Sequence, residues 1–329
     1  MTKSLKQITI PIILGPTSTG KTSLAVRHCQ LFGGEIISAD SRQVVKHMDI
    51  GTGKAPVSQE NRAENNQISV EKGDKKWMGN GVNIWGYDLT DPNTYFSAYD
   101  YAKWALLQAR KLLEQGKTVF LVGGTGFYID IFTKRKSLAN VKPDLELRES
   151  LGAMTTKDLF AQLTSLGPKK AASVDGKNKA RLIRAIEIEL AAKKKGAKSN
   201  PPLPHLENVE FKFIGLTAPR EILYQRTDNW LDKVWENGLL KETTWLIQNG
   251  YQDSPKLKGL VYKTVVDYLQ GNLNSKEAKQ RIKYDLHAYI RRQQTYFKKN
   301  PHTTWLDITK PNFEQKAKHH LKQIIEKTT

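Results

Sequence analysis

Gly15-Pro16-Thr17-Ser18-Thr19-Gly20-Lys21-Thr22 puts a lysine and a hydroxyl immediately after the second of two glycines. This is the spacing of a phosphate-binding loop. The glycines let the backbone curl until its N–H groups point at phosphate oxygens. Lys21 reaches the terminal phosphates, and the Thr22 hydroxyl is placed to hold Mg²⁺. A second set of groups lies downstream: Asp40, followed by Ser41-Arg42-Gln43, and the triplet Gly123-Gly124-Thr125. A carboxylate and a hydroxyl beside a bound diphosphate can position and deprotonate an acceptor during group transfer.

The surrounding sequence supplies elements that would bring these groups together. The apolar run Ile8–Leu14 precedes the loop and a helical pattern from Ser23 follows it, which is the strand–loop–helix context a phosphate loop requires. Residues 35–39 read as a buried strand ending at Asp40, and residues 118–122 as another ending at the Gly-Gly-Thr triplet. Ligand groups collect at the carboxyl ends of strands in an open α/β sheet. Between these strands a helix is expected from Ser97, as N-cap, to Gln115, with Gly116 as its stop. Strands separated by helices imply an α/β fold with a parallel sheet flanked by helices. The polar stretch 54–82 reads as a surface excursion with a short hairpin around residues 76–85.

From residue 134 to 206 the strand patterns give way to helical ones at 144–152, 156–166 and 179–195, which implies a helical insertion. The expected domains are a phosphate-loop core, 1–133 with 207–329, and this insertion, 134–206. Residues 177–198 carry basic residues at 177, 179, 181, 184, 193, 194, 195 and 198 against Glu187 and Glu189. Strand character returns at 210–216, and a helix starts at Pro219. A long basic helix is expected over 275–299, with Ile282, Leu286, Tyr289 and Tyr296 on its apolar face. A short strand at 303–306 and a surface helix in the tail complete the chain.

The 329 residues contain 52 Lys plus Arg against 33 Asp plus Glu, a formal charge of +19. A solvated lysine-rich surface or a polyanionic partner would each account for this. Concentration of the charge in two helical regions favours nucleic acid. The single cysteine, Cys29, rules out an internal disulfide and a cysteine-cluster zinc site, and reads as a buried structural thiol. No apolar run approaches the roughly 18 to 20 residues of a membrane span. No signal peptide is expected at Met1–Lys6, and the cytoplasm is the expected compartment.

The residue types alone leave the reaction open. A P-loop small-molecule or nucleotide kinase would bind ATP in the loop and use Asp40 on an acceptor hydroxyl. A transferase with a diphosphate leaving group would use the same cradle to hold the departing diphosphate. No further strand ending in an acid is recognisable, which disfavours a motor ATPase or GTPase.

The stretches 15–22, 37–54, 121–129, 180–187, 223–226, 262–271 and 291–297 together resemble the bacterial tRNA dimethylallyltransferases, in the family's order and over nearly the whole chain. The resemblance implies transfer of a dimethylallyl group from its diphosphate to N6 of the adenine 3′ of the anticodon. It implies Mg²⁺ as cofactor, with Thr22 as metal ligand, and a helical insertion that grips the tRNA anticodon stem-loop. Asp40 matches the family's general base and Thr125 the threonine near the amine. Arg226, with Lys21 and Thr22, matches the groups that hold the diphosphate, and Arg220 is a further candidate. The tRNA contacts it implies are Asp40, Ser41, Arg42, Gln43, Thr125, Leu147, Ala180, Arg181, Arg184, Tyr262, Arg292 and Gln293. A monomer with no membrane association is expected. A prenyltransferase for free adenine nucleotides remains the alternative. Val45 stands where the family often has tyrosine, and Val261 where it has glycine.

Overall fold

The computed structural model describes residues 7–54, 70–73, 76–194 and 199–326. Most of the 54–82 excursion, Lys195 and Lys198 lie outside them. The chain forms two compact units, residues 1–136 with 204–329, and residues 137–203.

In chain order the first unit begins with β1 (Ile8–Leu14), α1 (Lys21–Phe32), β2 (Gly34–Ser38), β3 (Val70–Lys72), β4 (Lys76–Gly79), β5 (Val82–Trp85), α2 (Ala98–Glu114), β6 (Thr118–Gly123) and α3 (Gly126–Phe132). The helical unit contributes α4 (Leu145–Gly152), α5 (Thr156–Leu166), α6 (Pro168–Ser173) and α7 (Lys179–Lys193). The chain then returns with β7 (Val209–Thr217), α8 (Arg220–Val234), α9 (Leu240–Leu246), α10 (Leu260–Leu269), α11 (Ser275–Phe297), β8 (Thr303–Asp307) and α12 (Phe313–Glu326).

The strands make one sheet in the order β3-β4-β5-β2-β6-β1-β7-β8. From β5 to β8 every pairing is parallel. The central strands β1 and β6 are buried along almost their whole length, so they read as continuous apolar runs rather than alternating ones. Pro11 sits within central β1 without breaking a ladder. The Ile8 N–H bonds the Asn208 carbonyl on the β7 side, so odd-numbered N–H positions in β1 face β6. Pairing with β6 starts only at Ile12, and the N–H that proline lacks falls beyond its end.

The hairpin read around residues 76–85 is β4–β5, closed by Asn80 and Gly81 at φ 47° and 78°. This is the pair of positive φ values that an Asn-Gly turn favours. Strand β3, absent from the sequence reading, adds an antiparallel edge beside it. Ser97 caps α2 through a reciprocal capping box with Asp100. Helix α12, expected at the surface, buries Ala317 and Leu321 completely against the sheet core. Cys29 is buried in α1, and burial pushes its thiol well up, which suits an inert core residue. The departures Val45 and Val261 are core residues at 1% and 2% exposure.

The helical unit has its own core of Leu151, Leu159, Leu163, Ala171, Leu182, Ala185 and Ile186. One carboxylate, Glu187 at 2% exposure, ties it together. It accepts from Arg148 Nε at 2.9 Å and from the Asp144 N–H at 2.7 Å, and it pairs with Arg184. These partners hold its carboxyl below the usual range despite burial. Arg184, expected to reach RNA, therefore has its guanidinium committed inside the unit, where it also donates to the Val141 carbonyl at 2.9 Å. Leu147 packs against the same core. Ala180 and Arg181 are exposed at the start of α7. Among the described residues, no helix is long and apolar enough to cross a membrane.

Candidate active site at the strand ends

The loop between β1 and α1 takes the conformation its glycines permit. Gly15 has φ 145°, and a Cβ there would lie 2.4 Å from the Leu216 carbonyl oxygen, so only glycine fits. Gly20 precedes α1 at φ 79°, and no side chain caps the helix. The first-turn N–H groups are thus left to an anionic ligand. Around them the loop is braced: Thr19 Oγ1 donates to the Pro16 carbonyl at 2.9 Å, and Ser18 Oγ bonds Thr227 Oγ1 at 2.6 Å.

Lys21 Nζ donates to the Pro16 carbonyl at 2.7 Å. Burial lowers its pKa from 10.5 to about 8, partly offset by the charge of Asp40. Arg226 on α8 approaches the same loop, with Nη2 3.9 Å from where a Gly20 Cβ would stand. Desolvation lowers its pKa too, and among the described residues it has no anionic partner. Two desolvated cations beside uncapped helix N–H groups form a site that is complete only with a polyanion. Arg220, the further candidate, instead donates from Nε to Gln294 Oε1 at 3.3 Å.

The half-buried Thr22 follows on the first turn of α1. Among the described residues, no group of three His, Cys, Asp or Glu could hold a metal unaided. A hard cation bound with a diphosphate would take the Thr22 hydroxyl together with phosphate oxygens and water, the oxygen-rich shell Mg²⁺ prefers.

Asp40 stands at the end of β2. Its Oδ1 accepts from the N–H groups of Arg42 at 2.8 Å and Gln43 at 3.4 Å, folding residues 40–43 into a tight turn. Its Oδ2 looks toward Gly124, 3.6 Å from the position a Cβ would take. Thr125 accepts from the Ser41 N–H at 2.9 Å and donates to Ser41 Oγ at 3.2 Å. The structure thus brings Asp40, Ser41 and Thr125 together on one rim, with Lys21 close enough to feel the Asp40 charge. Gly123 makes this possible, since a Cβ there would lie 2.1 Å from the Ala39 carbonyl oxygen. Gly123→Ala is expected to force β2 and β6 apart at the site and to cost about 3 kcal/mol. Chemical denaturation would check this.

Three residues expected to face RNA turn inward. Gln43 accepts from Ser38 Oγ at 3.0 Å and donates to the Gly53 carbonyl at 3.1 Å. Tyr262, 2% exposed, donates to Glu242 Oε1 at 2.6 Å. That carboxylate also receives the N–H groups of Asp49, Ile50 and Gly51, so the pair fixes the 49–51 turn. Gln293 is buried at 5% exposure with both ends of its amide bonded to backbone. Arg42 lies against Gly259, and Arg292 is exposed with its guanidinium 5.8 Å from the Tyr289 ring centre.

Tyr289 is a site residue that the sequence reading assigned to an apolar helix face. Its hydroxyl meets Thr125, and burial first and the Asp40 charge second push its phenol well up. Burial is also the first cause of the raised Tyr87, Tyr101 and Tyr128 phenols, and the Asp40 charge contributes to each. Tyr101 and Tyr128 stack at 3.9 Å. The signal available for Tyr289 was its place one helical turn before Gln293, on the same face of α11.

A mostly parallel sheet, a phosphate loop at its central strand and an acid–hydroxyl rim beside that loop define a P-loop-type α/β group-transfer enzyme. Residues 43–300 match the IPP transferase family, and residues 8–69 match an isopentenyl transferase family. The chain is 34% identical to a tRNA dimethylallyltransferase of a Roseiflexus species, over 96% of this chain and 99% of that one. It is 33% identical to the tRNA dimethylallyltransferase of Halalkalibacterium halodurans, over 92% of each chain. The crystal structure of the full-length tRNA isopentenylpyrophosphate transferase from Bacillus halodurans matches with a TM-score of 0.67 and 31% identity, covering 98% of both chains. The chain belongs to the IPP transferase family.

Proposed function

We propose that this protein transfers a dimethylallyl group from dimethylallyl diphosphate to N6 of the adenine 3′ of the anticodon in tRNA, releasing diphosphate. The observation that carries the reading is the pair of desolvated cations at the loop, Lys21 within the field of Asp40 and Arg226 beside Gly20. N6 attacks the first carbon of the dimethylallyl group, the carbon–oxygen bond to diphosphate breaks, and the N6 proton passes to Asp40. An aromatic amine is a weak nucleophile, so a positioned carboxylate base suits the step. Thr125 orients the amine. The loop N–H groups, Lys21 and Arg226 take up the charge that develops on the leaving diphosphate. Mg²⁺ held by Thr22 and diphosphate oxygens would add to that neutralisation.

The adenine must leave its stack to reach the strand ends. Exposed Arg181 and Arg292, with Ser41, Arg42 and the exposed Lys177, Lys193 and Lys194, are the groups we assign to the anticodon stem-loop. We assign the reaction to the cytoplasm and take the active form to be a monomer. Basic contacts to phosphate release counterions, so tRNA affinity is expected to fall by roughly tenfold or more between about 50 and 200 mM salt. A flat salt dependence would remove the electrostatic part of this reading.

Labelled dimethylallyl diphosphate incubated with unmodified tRNA, with adenosine monophosphate and with ATP separates the alternatives. Label entering tRNA at the adenine supports the proposal. Label entering only the free nucleotide, or ATP consumption without prenylation, would overturn it.

A further inference from the structure

Gln293 links two backbones that lie far apart in sequence. Its Oε1 accepts the Thr17 N–H at 2.9 Å, and its Nε2 donates to the Gly124 carbonyl at 2.9 Å. The amide has only one orientation here, because reversal would set donor against donor and acceptor against acceptor. Thr17 belongs to the loop that curls around the diphosphate site. Gly124 carries the rim, with Thr125 next to it and Asp40 Oδ2 3.6 Å from where its Cβ would stand. A Cβ on Gly124 would lie 2.6 Å from Gln293 Nε2, so the second glycine of the pair is the space this side chain occupies. At 5% exposure, with both amide ends paired to backbone, Gln293 presents almost no surface to an RNA.

We infer that Gln293 is a positioning residue that fixes the distance between the diphosphate loop and the rim bearing Asp40 and Thr125. This rests on the prenyl-transfer reading above. Displacement at carbon needs the attacking nitrogen, the carbon and the departing oxygen in line, and a misplacement of about 1 Å can cost roughly 100-fold in rate. The donor is held by the loop and the acceptor by the rim, so the transfer distance depends on what spans the two. The β1–β6 ladder joins them as far as Leu14 and Gly123, and beyond its end the Gln293 amide spans the two. Its lever is α11, whose helical axis continues toward Tyr289, so the span is set by a long rigid element rather than by either loop.

The test measures single-turnover transfer, donor affinity, tRNA affinity and thermal midpoint for the wild-type chain, Gln293→Leu and Gln293→Glu. Leucine removes both bonds. Glutamate keeps the acceptor for Thr17 and loses the donor to Gly124. Transfer by Gln293→Leu is expected to fall about 100-fold with both substrates saturating, while both affinities stay within about threefold of wild type. Gln293→Glu is expected to show the same split between rate and affinity. If Gln293→Leu does not fold, the glutamate variant decides alone. Loss of tRNA affinity with an unchanged rate in the bound complex would make Gln293 an RNA contact and overturn the inference. An unchanged rate, or a fall that merely follows the thermal midpoint, would overturn it as well. Absence of transfer by the wild-type chain would instead sink the functional reading itself.

Discussion

Asp40→Asn is expected to lower prenyl transfer to tRNA by about 10²- to 10⁴-fold, the range of a lost general base, while leaving tRNA affinity nearly unchanged. Asparagine is the informative replacement because the carboxylate has two separable tasks. Oδ1 holds the 40–43 turn through the Arg42 and Gln43 N–H groups, and an amide oxygen can do the same. What disappears is the ability to accept the N6 proton, together with the carboxylate charge felt by Lys21. Alanine would remove both tasks and confound turn and chemistry. The measurement must be made at saturating donor, since the Asp40 charge also supports protonation of Lys21. Single-turnover transfer and filter binding together check the result. Full activity in the variant would remove Asp40 from its assigned role.

The elements that could be read from the sequence were those whose cause is local. A continuous apolar run, a Ser-x-x-Asp capping box and an Asn-Gly turn each specify structure within a few residues, and β1, α2 and the β4–β5 hairpin follow them. The phosphate loop was legible for the same reason: its geometry is set by its own glycines. What stayed hidden depends on long-range pairing. Thr17 and Gln293 lie 276 positions apart, and nothing about a glutamine on a basic helix says that it points inward. Arg184 reads as an RNA-facing charge until Glu187 is seen buried beside it. Tyr262 stands among the implied tRNA contacts until it is seen buried against Glu242, which holds the 49–51 turn. Residue type predicts which bonds a side chain can form, and only the fold selects the partner. Helices α9 and α10 were missed because the chain between α8 and α10 is interrupted at Gly238 and Gly250, with φ 113° and 82°, which breaks up the helical periodicity.

The affinity for dimethylallyl diphosphate is expected to depend on pH through Lys21. In the ligand-free site its pKa is lowered to about 8 by burial. A bound diphosphate supplies the missing anion and raises that value. Binding therefore takes up a proton once the pH exceeds about 8, and affinity should weaken by roughly tenfold per pH unit above that point until the bound-state pKa is reached. Below about 8 the lysine is already charged, so its contribution to affinity is flat. The diphosphate does not account for this slope, because a phosphate's last proton leaves near pH 6, below the window. Calorimetry at pH 9 in two buffers of different ionisation enthalpy would count the protons directly. Lys21→Met should abolish both the slope and the proton uptake, and should weaken donor binding at pH 7 by roughly 10- to 100-fold, the worth of a charged hydrogen bond. Equal proton uptake in wild type and Lys21→Met would assign the titration to another group. Of the other cations at the loop, Arg226 stays charged across this range even when its pKa is lowered. Lys21 is therefore the loop group whose protonation couples donor binding to pH.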